Sequence, residues 1–239
     1  MFNMRKLLVL VLCITTATTA FSQKKKFDLS ERAADHLMFQ LSRDSWMGTP
    51  DSIDSHMDGF SRGANIYIML DKPFKGDQRF SFGFGLGVST SHIFFEKMEI
   101  DIEGTSQVLQ FRDVTGQNHY KKYKLATAYL ELPVEFRFTA NPEKPNKTIK
   151  AAIGAKVGTL LNAHTKAKNL RDASGNSISA YTQKNSTKAY FNSTRLTGTA
   201  RLGYGNFTLF GAYSFSPIFK DGVAADINLL QVGLTFSGL

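Results

Sequence analysis

The stretch YKLATAYLELPVEFRFT, Tyr123 to Thr139, limits the possible folds more than any other part of the chain. From Ala126 onward one parity carries Ala126, Ala128, Leu130, Leu132, Val134, Phe136 and Phe138, and the other carries Thr127, Tyr129, Glu131, Pro133, Glu135 and Arg137. Successive strand side chains point to opposite faces, so this segment has one apolar face and one charged face. A transmembrane β-barrel rewards such a split over a long strand, with lipid on one side and a narrow interior on the other. No apolar run beyond residue 22 is long enough for a membrane helix. A spanning fold must therefore close its sheet to satisfy every backbone polar group. The expected class is all-β: an eight-stranded antiparallel up-and-down transmembrane β-barrel. A soluble periplasmic barrel with its apolar parity turned inward is the alternative.

The N-terminus sets the compartment. Arg5 and Lys6 precede the apolar run Leu7 to Ile14, and Ala20-Phe21-Ser22 places small residues where a signal peptidase cuts. The reading is a cleaved signal peptide over 1–22, a periplasmic N-terminal segment over 23–33, an outer-membrane barrel over 34–239, and a Gram-negative envelope. Cys13, the single cysteine, lies inside the signal. The mature chain then has no disulfide, no thiolate nucleophile and no cysteine-based metal site. Removing Arg5 and Lys6 lowers the formal net charge from +9 to +7. In an exported chain that excess points to lipopolysaccharide phosphate and outer-membrane lipid and not to nucleic acid. A monomer without cofactor or metal is expected.

Seven further strands follow from alternation, near 35–44, 60–70, 79–95, 148–164, 193–204, 207–215 and 227–236. In the third, Phe80, Phe82, Phe84, Leu86 and Val88 alternate with Ser81, Gly83, Gly85, Gly87 and Ser89, and such a glycine and serine row suits a crowded barrel interior. The strand at 148–164 places Gly154, Lys156, Gly158 and Asn162 inward. The strand at 207–215 has apolar residues on both parities, which leaves its faces unassigned. Connections alternate between short and long, as periplasmic turns and extracellular loops do. Glu96 to Lys122 reads as polar strand extensions with a tip near Gly104 or Gly116. Trp46 is expected at the membrane interface, and Phe94, Phe95, Tyr120, Tyr123, Tyr190 and Phe191 in an outer aromatic girdle. Phe80, Phe138, Tyr204, Phe207 and Phe236 form the inner one. Pro133 cannot donate to a ladder paired on both sides, so a bulge or a missing hydrogen bond is expected there.

Tyr129-Leu130-Glu131-Leu132-Pro133, the glycine-rich strand from Ala151, Arg201-Leu202-Gly203-Tyr204-Gly205 and the final Val232-Gly233-Leu234-Thr235-Phe236 resemble the outer-membrane β-barrel proteins of the Bacteroidota, often called PorT-like. The resemblance covers nearly all of the mature chain and implies fold and membrane. PorT itself belongs to a secretion system, so the resemblance adds envelope or secretion-system proteins as partners but assigns no functional residue.

Glu131, Glu135, Arg137, Lys156 and Arg201 fall on inward faces of neighbouring strands, where opposite charges can form a lumen network. Lys166, Lys168, Arg171, Lys184 and Lys188, interleaved with Tyr181 and Tyr190, make a basic loop suited to an acidic ligand. Asp51, Asp54, His56 and Asp58 offer hard oxygen donors, but their spacing does not match a regular calcium loop. His92 and His164 lie near outer strand ends beside Ser91 and Thr165, which point to opposite faces, and no catalytic motif is present. The expected function is non-enzymatic: an integral outer-membrane protein with a structural, surface-binding or envelope- and secretion-support role. The alternatives are a small-solute channel and an outer-membrane lipid hydrolase. A closed barrel purified in detergent should migrate faster on an SDS gel before boiling than after; identical migration would argue against closure.

Overall fold

The computed structural model describes residues 37–237. The expected signal peptide and the segment at 23–33 lie outside them. In chain order the elements are β1 (Leu37–Met47), a short helix α1 (Asp51–Asp54), β2 (Arg62–Pro73), β3 (Phe80–Phe95), β4 (Met98–Asp101), β5 (Gln110–Asp113), β6 (His119–Thr139), a 3-10 turn (Pro145–Lys147), β7 (Ile149–Arg171), β8 (Ser177–Ser186), β9 (Thr194–Tyr204), β10 (Phe207–Ser214) and β11 (Asn228–Ser237). Among the described residues eight of these strands, β1, β2, β3, β6, β7, β9, β10 and β11, pair antiparallel in a closed ring. The seam runs from Met38 opposite Ser237 to Met47 opposite Asn228, and the β6–β7 ladder completes the circuit. The remaining strands stand above the ring, β4 with β5 as a separate hairpin and β8 against the upper part of β7.

The apolar parity faces outward all round. Ile68 is 66% exposed, Ile153 65%, Leu209 65% and Leu132 57%, while Gln40, Asn65, Ser81, Ser89, Glu131 and Thr235 are each 3% exposed or less. That polarity is the reverse of a soluble core, so a water-soluble barrel with an apolar interior does not describe this chain. The expected inner girdle stands at the short-turn rim, where Phe80 stacks on Phe136 and Phe207 packs on Phe236. β10, ambiguous in sequence, turns Thr208, Phe210, Ala212 and Ser214 inward. Gly205, at φ +59°, makes the tight turn between β9 and β10.

Several expectations are corrected. Trp46 is 5% exposed and meets Phe95 and Phe219 edge-on, so it lies inside the ring, away from lipid. Phe95, Tyr123, Tyr190 and Phe191 are buried in the same cluster and Tyr120 packs against it, which leaves Phe94 facing outward. The 96–122 insertion is not simply a pair of strand extensions: only β6 extends, and β4–β5 folds as its own hairpin with Met98 and Ile100 buried. Around Pro133 the β3–β6 ladder skips from Phe84–Val134 to Gly87–Glu131, as a missing donor requires. The bulge falls elsewhere. Tyr129 aligns with Leu160 but Ala128 with Asn162, so β7 gains one residue and its parity reverses. Asn162 therefore does not point into the lumen, and Ala163, Thr165 and Ala167 do.

Val134 sits near the middle of the outward apolar band of β6, Ala128 to Phe138. Val134→Arg is expected to cost ~2–4 kcal/mol in urea unfolding from lipid vesicles, with smaller costs for the same change nearer either rim.

Candidate functional site: a filled lumen beneath an apolar cap

Narrow barrels leave an interior that side chains alone can fill, and here they do so in two zones. The lower zone is ionic. Glu131 accepts from Tyr67 Oη at 2.5 Å and from Arg195 Nη2 at 2.5 Å, and Lys156 Nζ lies 3.6 Å from the same carboxylate. Lys156 also donates to Tyr67 Oη at 2.9 Å. Below it, Glu135 Oε2 accepts from Arg137 Nε at 2.8 Å and Arg201 Nη2 at 2.9 Å, and Arg137 Nη1 stands 3.5 Å from Asp71. Each of these ions has a partner of opposite sign, as desolvated charge demands. The glycine rows make room for these long side chains. A Cβ at Gly83 would collide with Arg137, one at Gly87 with Tyr67, and those at Gly154 and Gly158 would press on Glu135 and Glu131.

The structure thus brings together all five residues expected in the lumen and adds Tyr67, Asp71 and Arg195. Arg195 shares the inward parity of β9 with Thr197, Thr199 and Arg201, and that parity was the available signal. Tyr67 and Asp71 lie on the inward parity of β2, opposite the apolar row. Arg195 also stacks over Tyr129, 4.0 Å from its ring centroid, at the top of the ionic zone.

The upper zone is apolar, and the long connections build it. Ile53 from α1, Met98 and Ile100 from β4, Phe191 from the β8–β9 segment, and Ile218, Phe219 and Ile227 from the β10–β11 segment close over Ile93, Leu125 and Leu229 of the ring. Polar pins hold them. Tyr190 Oη donates to the carbonyls of Gly104 and Ser106, Tyr123 Oη to that of Ile100 at 2.9 Å, and Asn192 Nδ2 to those of Pro217 and Phe219. Where the zones meet, beside Trp46, Ser91 and Arg195, the free volume is about 10 Å³, room for roughly one water. A cavity of about 200 Å³ under the cap, lined by Glu99, Asp101, Arg112, Tyr120 and Gln183, opens outward. Burial raises the Glu99 carboxyl above its ordinary value, and Arg112 opposes that shift.

The basic loop residues separate. Lys166, Lys168 and Lys184 stand on the outward face of the β7–β8 extension, Arg171 ends β7, and Lys188 lies in the exposed segment beyond β8. Of the tyrosines interleaved with them, Tyr181 pairs with the hydroxyl of Tyr120 at 2.9 Å and Tyr190 belongs to the cap. His56 faces Asp113 at 3.3 Å, and the Asp58 carboxylate accepts from the backbone of Phe60. Among the described residues no group of three or more histidine and acidic side chains converges on a metal position.

Residues 22–220 match the family model of the outer membrane protein beta-barrel domain. The chain belongs to that family. No curated protein matches it. Solved structures similar to this family member include the crystal structure of Ail, the attachment invasion locus protein of Yersinia pestis, at 14% identity over 87% of this chain and 98% of that one with a TM-score of 0.36. Another is Ail in complex with the heparin analogue sucrose octasulfate, at 14% identity over 84% and 95% with a TM-score of 0.35. Likeness at that level carries no weight for role.

Glu131→Gln leaves Lys156 and Arg195 buried against a neutral amide. It should cost about 3–5 kcal/mol in urea unfolding from vesicles, where an exposed charge change on the loops costs little.

Proposed function

We propose that this outer-membrane barrel is non-enzymatic and non-conducting, and that it works as a fixed structural and surface-binding element of the envelope, PorT-like in the Bacteroidota sense. The observation that carries this reading is the filled lumen. Ionic side chains occupy the lower half, an apolar cap occupies the upper half, and the pocket beside Trp46, Ser91 and Arg195 where they meet holds about 10 Å³. Water-filled passage would require opening both zones at once, against the ion pairs of Glu131 and Glu135 and the packing of Trp46 and Phe219.

The geometry around His164 favours the same reading. Nucleophilic chemistry needs a hydroxyl within reach of its base. His164 Nδ1 instead bonds Asn162 at 2.7 Å, and the Ser186 hydroxyl, opposite it across the ladder, donates to the carbonyl of Ala163. Cap, long connections and outward faces then remain as the working surfaces, in contact with lipopolysaccharide and with envelope or secretion-system proteins.

Purified protein reconstituted in planar bilayers should give no stable unitary conductance across the voltage range in which porins open. Reproducible steps from the wild-type protein would favour the channel instead.

A further inference from the structure

The outward parity at the upper ends of β2, β3, β6, β7 and β8 collects cations and histidines in rows. Arg62 lies opposite His92, His92 opposite Ala126, and Ala126 opposite His164. In the next row up, Phe94, Lys124, Lys166 and Lys184 are aligned across four successive strands. Lys122 and Lys168 face each other in the row above. Adjacent strands are ~4.8 Å apart, so the three aligned lysines share a strip of roughly 10 Å. Like charges directly opposite one another destabilise a sheet. Among the described ion pairs none reaches Arg62, Lys124, Lys166 or Lys184.

Height and sidedness narrow the partner. Directly below the rows, the same parity becomes the lipid-facing band: Ala64, Ile66, Ile68 and Leu70 under Arg62, and Ala128, Leu130 and Leu132 under Lys124. The cations therefore sit where hydrocarbon ends and headgroups begin. Phe94 anchors them, with the Arg62 guanidinium 5.4 Å and the Lys124 ammonium 5.6 Å from its ring centroid. On the opposite side of the ring the outward residues of β9, β10 and β11, such as Leu196, Tyr213 and Leu230, carry no charge. A general attraction to the membrane surface would not need one-sided placement in register; a multiply charged headgroup held against one flank would.

We propose that Arg62, Lys124, Lys166 and Lys184 form a binding strip for the phosphomonoesters of a phosphorylated outer-leaflet lipid, its acyl chains lying along the apolar band of β2, β3 and β6. This inference rests on the outer-membrane reading of the barrel.

The test uses the full-length mature protein in detergent micelles, titrated with bisphosphorylated lipid A and followed by the rise in Tm and by native mass spectrometry. The wild type should bind and be stabilised. K124Q/K166Q/K184Q should bind weaker by on the order of a hundredfold. The single variant K184E, on the hairpin extension, should also bind measurably weaker, whereas K72Q/K75Q at the short-turn end should bind as the wild type does. Dephosphorylated lipid A should not bind, and inorganic phosphate in millimolar excess should not displace the lipid. Equal affinity of the triple variant and the wild type would overturn the proposal. So would displacement by inorganic phosphate, which would make the strip a site for the free anion, or by a heparin fragment, which would make it a site for acidic glycans. Heat-modifiable migration of each variant separates loss of binding from loss of folding. Its absence in the wild type would instead remove the outer-membrane reading itself.

Discussion

A sheet surrounded by hydrocarbon cannot have an edge, because each unpaired backbone group there would cost several kcal/mol. The pairing of β1 with β11 removes the last edge, and most other features follow from it. Eight strands close on a space that side chains alone can fill and that is too wide to leave empty. Side chains must fill it, and those that fill it must leave the other parity free for lipid. Glycines on β3 and β7 then become a requirement of volume, since an arginine, a tyrosine and two glutamates from neighbouring strands lie across them.

The filling changes character with height. Where strands alone surround the lumen, the long side chains of Glu131, Glu135, Arg137, Lys156, Arg195 and Arg201 span it and neutralise one another, while buried Asp44 is held by the neutral Ser42 and Gln231. Where the strands rise past the lipid, the connections supply apolar residues, and the interior resembles an ordinary protein core. Arg195 joins the zones, with its guanidinium on Glu131 and its flat face on Tyr129. The cap is consequently part of the folded unit, and its tyrosine and asparagine pins reach from one connection to the next.

The barrel could be read from the sequence because a strand's period of two survives in most lipid-facing segments, β10 being an exception. Inward charges were visible for the same reason, once adjacent strands were known to be neighbours. Three things were hidden. The cap residues Met98, Ile100 and Phe219 sit among polar neighbours in connections, and nothing local says that such a segment turns inward. Trp46 and Tyr123 look like girdle residues by composition, yet they face the cap because of where the ring places them. The bulge in β7 leaves no mark in the pattern, since Leu160 and Leu161 are both apolar and either could face lipid. The acidic-ligand loop runs along the chain, whereas two of its cations, Lys166 and Lys184, align across strands with Lys124, which only the register reveals.

That bulge sets which side of the wall everything above it occupies. Below it the even-numbered residues of β7 line the lumen; above it the odd-numbered ones do. With an unbroken ladder, His164, Lys166 and Lys168 would have faced the apolar cap, and Ala163, Thr165 and Ala167 the lipid headgroups. One unpaired residue lets a single strand serve a charged interior at one height and a charged exterior at the next. The fold therefore encodes sidedness as a count along the strand, and an insertion or deletion between Gly158 and Ala163 would rewrite the outer surface of the barrel without changing a single side chain there.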